Sequence, residues 1–129
     1  MSQPCWLTIP MVLAFHSNLI QEHGGSLGLR DRGLLESVLG RPRSKHHYDS
    51  PVSLVELAAA YGFGIARNHP FVDGNKRVAF QAMYVFLRLN GLRIDADEPD
   101  VVRTILALAA GELDEDELVR WLTEHTVPA

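Results

Sequence analysis

The chain is poor in cysteine, and this scarcity excludes two kinds of stabilisation. Cys5 is the single cysteine, so no disulfide can form within the chain. The chain also lacks a second thiol and a pair of histidines at ligand spacing, so the sequence does not predict a structural zinc site. Because disulfides persist in oxidising environments, we expect a protein of a reducing compartment.

An excess of positive charge and long apolar runs are also missing. The net charge of −4 argues against a nucleic-acid surface as the main function. Charged residues interrupt the apolar runs well before the roughly 20 residues that a membrane-spanning helix needs. The opening Met-Ser-Gln-Pro-Cys-Trp lacks the basic and apolar regions of a secretory signal. We therefore expect a soluble, cytoplasmic protein without a membrane partner.

What the chain does have is apolar periodicity typical of helices. Its 129 residues suit one domain, spanning 1–129, and the pattern predicts a mainly α fold. The first three predicted helices span 10–23, Asp31 to just before Gly40, and 54–68. The next three run from Asp73 or Gly74 to Asn90, from Pro99 to Gly111, and over 114–124. A short extended piece is predicted at 92–94.

Several turn and cap signals set these boundaries. Ser53 with Glu56 three residues later predicts a capping box. Gly40 and Pro42 predict the end of the second helix, which leaves 43–50 as an exposed connection. His46 and His47 lie in that connection, and we favour a solvated loop over a metal site because adjacent residues seldom point at one ion. The acidic run 114–117 is interpreted as the start of a helix, where negative charge is favourable.

The stretch from His69 to Arg77 reads His-Pro-Phe-Val-Asp-Gly-Asn-Lys-Arg and separates two long apolar helices. Pro70 disfavours helical geometry at His69, so the first of these helices should end near Asn68. If Asp73 caps the next helix, the free amides at that helix's start form an anion site. These residues suit phosphate chemistry better than a core.

Each polar residue of the stretch can be given a role in transfer from a nucleoside triphosphate to a hydroxyl. His69 is the candidate general base, because an imidazole can accept a proton near neutral pH. Asp73 is the candidate Mg²⁺ ligand. The candidate nucleotide-binding and phosphate-binding residues are Gly74, which leaves room for a phosphate, Asn75, which could orient it, and Lys76 and Arg77, which supply positive charge.

A purely structural explanation is also available for this stretch. Asp73 can be a simple helix cap, Lys76 and Arg77 a solvated first turn, and His69 a histidine at the favourable end of a helix dipole. Pro70 and Gly74 can be ordinary turn residues. Each explanation is reasonable singly, but their coincidence within nine residues favours an active site.

The stretch resembles the signature of the Fic/Doc superfamily, and specifically its Doc (death-on-curing) toxin branch, roughly H-x-F-x-D-[AG]-N-K-R. The resemblance covers nearly the whole chain. Further matching segments are 28–37, 41–42, 57–66, 87–91 and 111–122. It implies a compact bundle of about six helices, with the active-site loop between the two central ones.

The resemblance also implies a function. Doc-like members are toxins of toxin–antitoxin pairs, and use ATP and Mg²⁺ to phosphorylate a threonine hydroxyl of elongation factor Tu, a translation factor. In the wider Fic family, Gly stands at the position of Lys76 and a second Arg at that of Phe80, so both residues here side with Doc. Pro70 and Gly74 are closer to the wider Fic pattern, which leaves transfer of AMP as an alternative.

The resemblance finally bears on partners. Self-inhibited Fic proteins carry an [ST]-x-x-x-E-[GN] segment, and none is present here. Inhibition is therefore expected from a separate Phd-like antitoxin whose C-terminal segment folds onto the toxin. Contact with nucleic acid would then be indirect, through the antitoxin. A catalytically idle module that only binds the antitoxin is the remaining alternative.

Overall fold

The computed structural model describes residues 3–129, so Met1 and Ser2 of the opening stretch discussed above lie outside the described residues. Within residues 3–129, six helices and two short strands follow one another. They are α1 (Ile9–His23), α2 (Arg32–Tyr48), α3 (Leu54–Asn68), α4 (Asn75–Leu89), β1 (Leu92–Ile94), α5 (Glu98–Ala109), α6 (Glu115–His125) and β2 (Thr126–Pro128). The predicted mainly α fold of about six helices is confirmed.

Most helices begin where a side chain caps them. Of the six helices within residues 3–129, five have a side-chain oxygen that accepts a hydrogen bond from the first turn. These caps are Thr8, Asp31, Ser53, Asp97 and Asp114. The predicted capping box of Ser53 and Glu56 is present, and Asp114 forms a second one with Glu117. The acidic run therefore starts α6, as predicted.

Helix α2 is longer than the sequence predicts. The prediction that it stops before Gly40 and Pro42 is wrong, because the helix continues through both to Tyr48. Proline in a helix removes one backbone hydrogen bond, but here Pro42 is buried against the core together with Val38 and Leu39. The burial of this face keeps the helix continuous, so only the residues after Tyr48 form the connection to α3.

The two histidines at the end of α2 are consequently helical, and each contacts a different aromatic ring. His46 meets Trp6 edge-on with ring centroids 5.5 Å apart. His47 meets Tyr48 in the same manner at 4.5 Å. The two imidazoles are thus engaged separately.

Helices α3 and α4 form the centre of the bundle. Small residues on α3 allow its neighbours to come close: a Cβ at Gly64 would lie 2.8 Å from a methyl carbon of Val38 on α2, and one at Gly62 would overlap Met83 on α4. Tyr61 and Phe86 are fully buried between them. This tight packing fixes the loop between α3 and α4 in space.

The C-terminal part contributes to a short two-stranded sheet. The predicted extended piece is β1, which pairs antiparallel with β2, so that Arg93 lies opposite Val127. The sequence did not predict β2, whose strand character depends on its pairing with the distant β1. None of the helices within residues 3–129 is long and apolar enough to cross a membrane.

Candidate active site

The loop between α3 and α4 begins with an unusual backbone conformation. His69 follows the last residue of α3 and adopts a left-handed conformation with φ 51° and ψ 61°. Such a conformation costs a non-glycine residue about 1 kcal/mol or more. The Arg30 guanidinium stabilises it, because Nε donates to the His69 carbonyl at 2.6 Å and the terminal nitrogen donates to the Asn68 carbonyl at 2.7 Å.

A short extended segment before α2 pairs with the same loop. Leu29 and Phe71 form an antiparallel bridge, and the Val72 N–H donates to the Gly28 carbonyl at 3.0 Å. The N–H groups of Arg30 and Asp31 both donate to the Pro70 carbonyl. This segment before α2 thus holds the candidate active site along its length.

Phe71 and Asn75 anchor the loop from inside. Phe71 is fully buried. Asn75 is only 8% exposed. Its side-chain oxygen accepts a hydrogen bond from the Phe71 N–H at 3.0 Å, and its side-chain nitrogen donates one to the Phe71 carbonyl at 2.9 Å. The predicted use of this side chain to orient phosphates conflicts with that engagement.

The start of α4 differs from that of the other helices. Gly74 occupies the cap position in a left-handed conformation, φ 78°, and no side chain within residues 3–129 caps the first turn. The first backbone hydrogen bond of the helix runs from the Val78 N–H to the Gly74 carbonyl. The preceding N–H groups, of Asn75, Lys76 and Arg77, therefore form the open N-terminus of the helix.

The prediction that Asp73 caps α4 is wrong. Its carboxylate accepts from the Gly74 N–H at 2.8 Å and from the Ser26 N–H at 3.1 Å instead. These two hydrogen bonds, with that of Ser26 the stronger cause, hold the pKa of the Asp73 carboxyl below its usual range. Asp73 is thus an exposed, ionised carboxylate at the edge of the loop.

The loop opens into a cavity of about 760 Å³. All six residues predicted from the sequence line it, and they are His69, Asp73, Gly74, Asn75, Lys76 and Arg77. Helix α5 adds the apolar side chains of Val101, Val102, Ile105 and Leu106 to the lining, together with Glu98 from its first turn. The cavity therefore combines a cationic end at the α4 N-terminus with an apolar side.

Two residues that support the site were not identified from the sequence. Arg30 gave no signal, because its partners are carbonyls of α3 that only the tertiary structure brings near. His16 lies under the loop, and its Nε2 is 2.8 Å from the Asp73 carbonyl oxygen. The sequence did contain a signal for His16. It lies four residues after Val12 and four before Ile20, so it is a polar residue on the buried face of α1.

Comparison with known proteins identifies the family of the chain. The model of the Fic/DOC family matches residues 6–87, which include the loop and both central helices. The chain belongs to the Fic/Doc family. Within the family it lies in the Doc branch, since curated relatives of high similarity carry that name.

Two such relatives illustrate the similarity. "Protein kinase doc" of Escherichia phage P1 is 34% identical over 102 residues, covering 79% of this chain and 80% of the relative. "Toxin Doc" of Mycolicibacterium smegmatis is 44% identical over 75 residues, covering 57% of this chain and 58% of the relative. The sequence-based assignment to the Doc branch is therefore confirmed.

A solved structure shares the fold. BepC, a VirB-translocated effector of Bartonella tribocorum, was crystallised with bound AMPPNP and matches with a TM-score of 0.53 at 18% identity. The match covers 76% of this chain and 49% of that chain, so the present chain spans about half of BepC's crystallised length. At this identity the likeness concerns the fold alone.

Proposed function

We propose that this chain is the toxin of a toxin–antitoxin pair. In this proposal it transfers the γ-phosphoryl group of ATP to a protein hydroxyl. The expected acceptor is a threonine of elongation factor Tu. The observation that carries the proposal is the uncapped N-terminus of α4, which opens beside Lys76 and Arg77 into the cavity. The names of the two Doc relatives support the toxin and kinase parts of the proposal.

The α4 N-terminus would hold the phosphates. Its free N–H groups and the positive end of the helix dipole attract anions. Lys76 and Arg77 lie exposed in the first turn and line the same cavity. Gly74 brings no side chain to the place where a phosphate approaches. Positioning and charge stabilisation supply most of the catalysis in phosphoryl transfer, and this end of the cavity is suited to both.

The apolar wall would hold the nucleoside. The cavity volume of about 760 Å³ lies within the range usual for small-molecule sites. Val101, Ile105 and Leu106 of α5 line it together with the loop. An aromatic base is accommodated by such a surface, while the phosphates remain at the cationic end.

Asp73 fits the role of a Mg²⁺ ligand. Within residues 3–129 no group of three or more histidine, cysteine or acidic side chains is arranged to hold a metal. A single ionised carboxylate suits Mg²⁺ nevertheless, because this ion usually binds one or two carboxylates together with substrate phosphates and water. When bound, the ion would neutralise charge on the phosphates.

His69 is the proposed general base. Its side chain is exposed at the end of α3 and lines the same cavity as the residues of the α4 N-terminus. In the proposed reaction His69 takes the proton of the acceptor hydroxyl, whose oxygen bonds to the γ-phosphorus. The bond from that phosphorus to the bridging oxygen breaks, and ADP leaves with the electron pair.

The residues at positions 76 and 80 support phosphoryl rather than nucleotidyl transfer. Lys76 and Phe80 are one turn apart on α4, and both line the cavity. Phe80 brings an apolar ring to the position at which the wider Fic family has its second Arg. The cationic groups are therefore concentrated at the start of the helix.

The remaining parts of the proposal concern organisation and partners. Residues 1–129 would form a single Fic/Doc-type domain, which is supported by one core cluster that draws on all six helices. A Phd-like antitoxin would neutralise it in the cytoplasm and would mediate any contact with nucleic acid.

Labelled ATP tests the reaction. The purified chain is incubated with Mg²⁺, elongation factor Tu and ATP labelled at either the γ or the α position, and the modified protein is examined by mass spectrometry. We expect γ label and the mass of one phosphate, and neither with His69→Ala. Transfer of α label would show nucleotidyl transfer instead, and growth inhibition that persists in His69→Ala without any modification would show an idle binding module.

A further inference from the structure

We propose that His16 is a positioning residue: it fixes the orientation of the Asp73–Gly74 peptide and so keeps the α4 N-terminus open to an anion. The identity of the anion as a nucleotide phosphate rests on the proposed function. The role of His16 in the loop rests on its own contacts.

His16 is a buried polar residue whose side chain contacts the loop. It is 4% exposed, and its Nε2 lies 2.8 Å from the Asp73 carbonyl oxygen. A carbonyl can only accept a hydrogen bond, so Nε2 carries the proton and donates. The imidazole also stacks on Phe71, with ring centroids 4.0 Å apart and planes 9° from parallel.

The Asp73–Gly74 peptide is held on its N–H side by the Asp73 carboxylate, at 2.8 Å, and on its carbonyl side by His16. Glycine adopts many conformations at similar free energy, and Gly74 stands at φ 78° where no side chain of the described residues caps α4. Rotation of this peptide by half a turn would direct the Asp73 carbonyl away from the buried side. Its negative oxygen would then weaken an anion site formed by the neighbouring N–H groups.

Packing around Gly74 reinforces the same arrangement. A Cβ at this position would lie 3.2 Å from the Cδ1 of Ile20 and 3.8 Å from the His16 Nε2. The loop thus rests directly on the α1 face that carries both side chains. Hydrogen bond, ring stack and close approach together hold the carbonyl inward.

Two substitutions separate the hydrogen bond from the packing. His16→Phe keeps an aromatic ring against Phe71 but loses the donor, whereas His16→Gln keeps an N–H donor and loses the ring. Val12→Ala is the matched control, because Val12 is buried on the same face of α1 one turn earlier. Each full-length variant is titrated with inorganic pyrophosphate by calorimetry, its thermal unfolding is recorded, and His16→Phe is crystallised.

We expect pyrophosphate to bind about tenfold more weakly to His16→Phe, which corresponds to about 1.4 kcal/mol. His16→Gln should retain affinity within about threefold, and Val12→Ala should bind like the wild type although it unfolds at a lower temperature. In the His16→Phe crystal the Asp73 carbonyl should have rotated away from α1.

Unchanged pyrophosphate affinity in His16→Phe would overturn the inference, and so would a loss of affinity in His16→Gln as large as that in His16→Phe. If the wild type binds pyrophosphate but transfers no phosphate to protein, the proposed function fails while the role of His16 stands. If the wild type does not bind pyrophosphate, the crystal structure decides: a carbonyl that keeps its direction in His16→Phe refutes the inference, and a rotated one supports it.

Discussion

The N-termini of α3 and α4 are built in opposite ways, although both helices have 15 residues and belong to the same central pair. Ser53 and Glu56 close α3 with reciprocal hydrogen bonds of 3.1 and 3.3 Å. Helix α4 starts at Gly74 without a side-chain cap from the described residues. One helix satisfies its own terminal amides, and the other leaves them to the cavity.

The charges of the first turns differ in the same sense. Glu56 lies in the first turn of α3, where a negative charge is favourable. Lys76 and Arg77 lie in the first turn of α4, which has no acidic residue. Positive charge there destabilises the helix, but it strengthens an anion site. The first turn of α4 is therefore less stable than that of α3 at the place where the proposed function needs positive charge.

The largest expected effect comes from removing the base at the end of α3 that faces the open terminus. His69→Ala should lower the rate of phosphoryl transfer about 10²- to 10⁴-fold, the usual contribution of general acid–base catalysis, while ATP binding persists. His47→Ala, which removes an exposed histidine of α2, is the control. Equal rates for His69→Ala and wild type would remove His69 from the mechanism.

Charge reversal at the two ends of α4 tests whether the open terminus trades stability for binding. Lys76→Glu should weaken ATP binding about tenfold or more and raise the free energy of unfolding by about 0.3–1 kcal/mol. Arg88→Glu makes the same change in the exposed last turn, so it should leave ATP affinity intact and lower stability. Calorimetry measures the ATP affinity, and urea unfolding measures the free energy of unfolding. Equal ATP affinities in the two variants would contradict the proposed phosphate site.

The closed terminus should behave as a stability element only. Ser53→Ala should lower the free energy of unfolding by about 1 kcal/mol, since it removes a helix cap. ATP affinity should not change, because the capping box lies at the far end of α3 from His69. Urea unfolding and nucleotide titration of one preparation provide the check, and a joint loss of both would mean that the two termini are coupled.

The smallest effect concerns pH. The folded-state pKa of Asp73 is lowered by the N–H groups of Ser26 and Gly74, so its carboxylate adds stability above the unfolded-state pKa. That stability is lost as pH falls through the lowered folded-state value. Asp73→Asn should therefore reduce the loss of stability on acidification, as measured by thermal unfolding across a pH series. An unchanged acid dependence would show that these hydrogen bonds contribute nothing to folding.

Local signals in the sequence were enough to predict much of this molecule. Apolar periodicity identified the six helices, Ser53 with Glu56 identified the start of α3, and the residues from His69 to Arg77 identified the family and a candidate site. Such signals act over a few residues, as caps, turns and helix faces do, so they can be recognised without a fold.

Tertiary structure decided the features that depend on partners distant in the chain. Pro42 stays helical because its face is buried, and β2 exists because β1 pairs with it. Asp73 binds Ser26 and Gly74 instead of capping α4, and His16 and Arg30 support the loop from outside it. Burial and long-range hydrogen bonds outweigh local propensity at these positions, because their free energy arises only when separate segments meet.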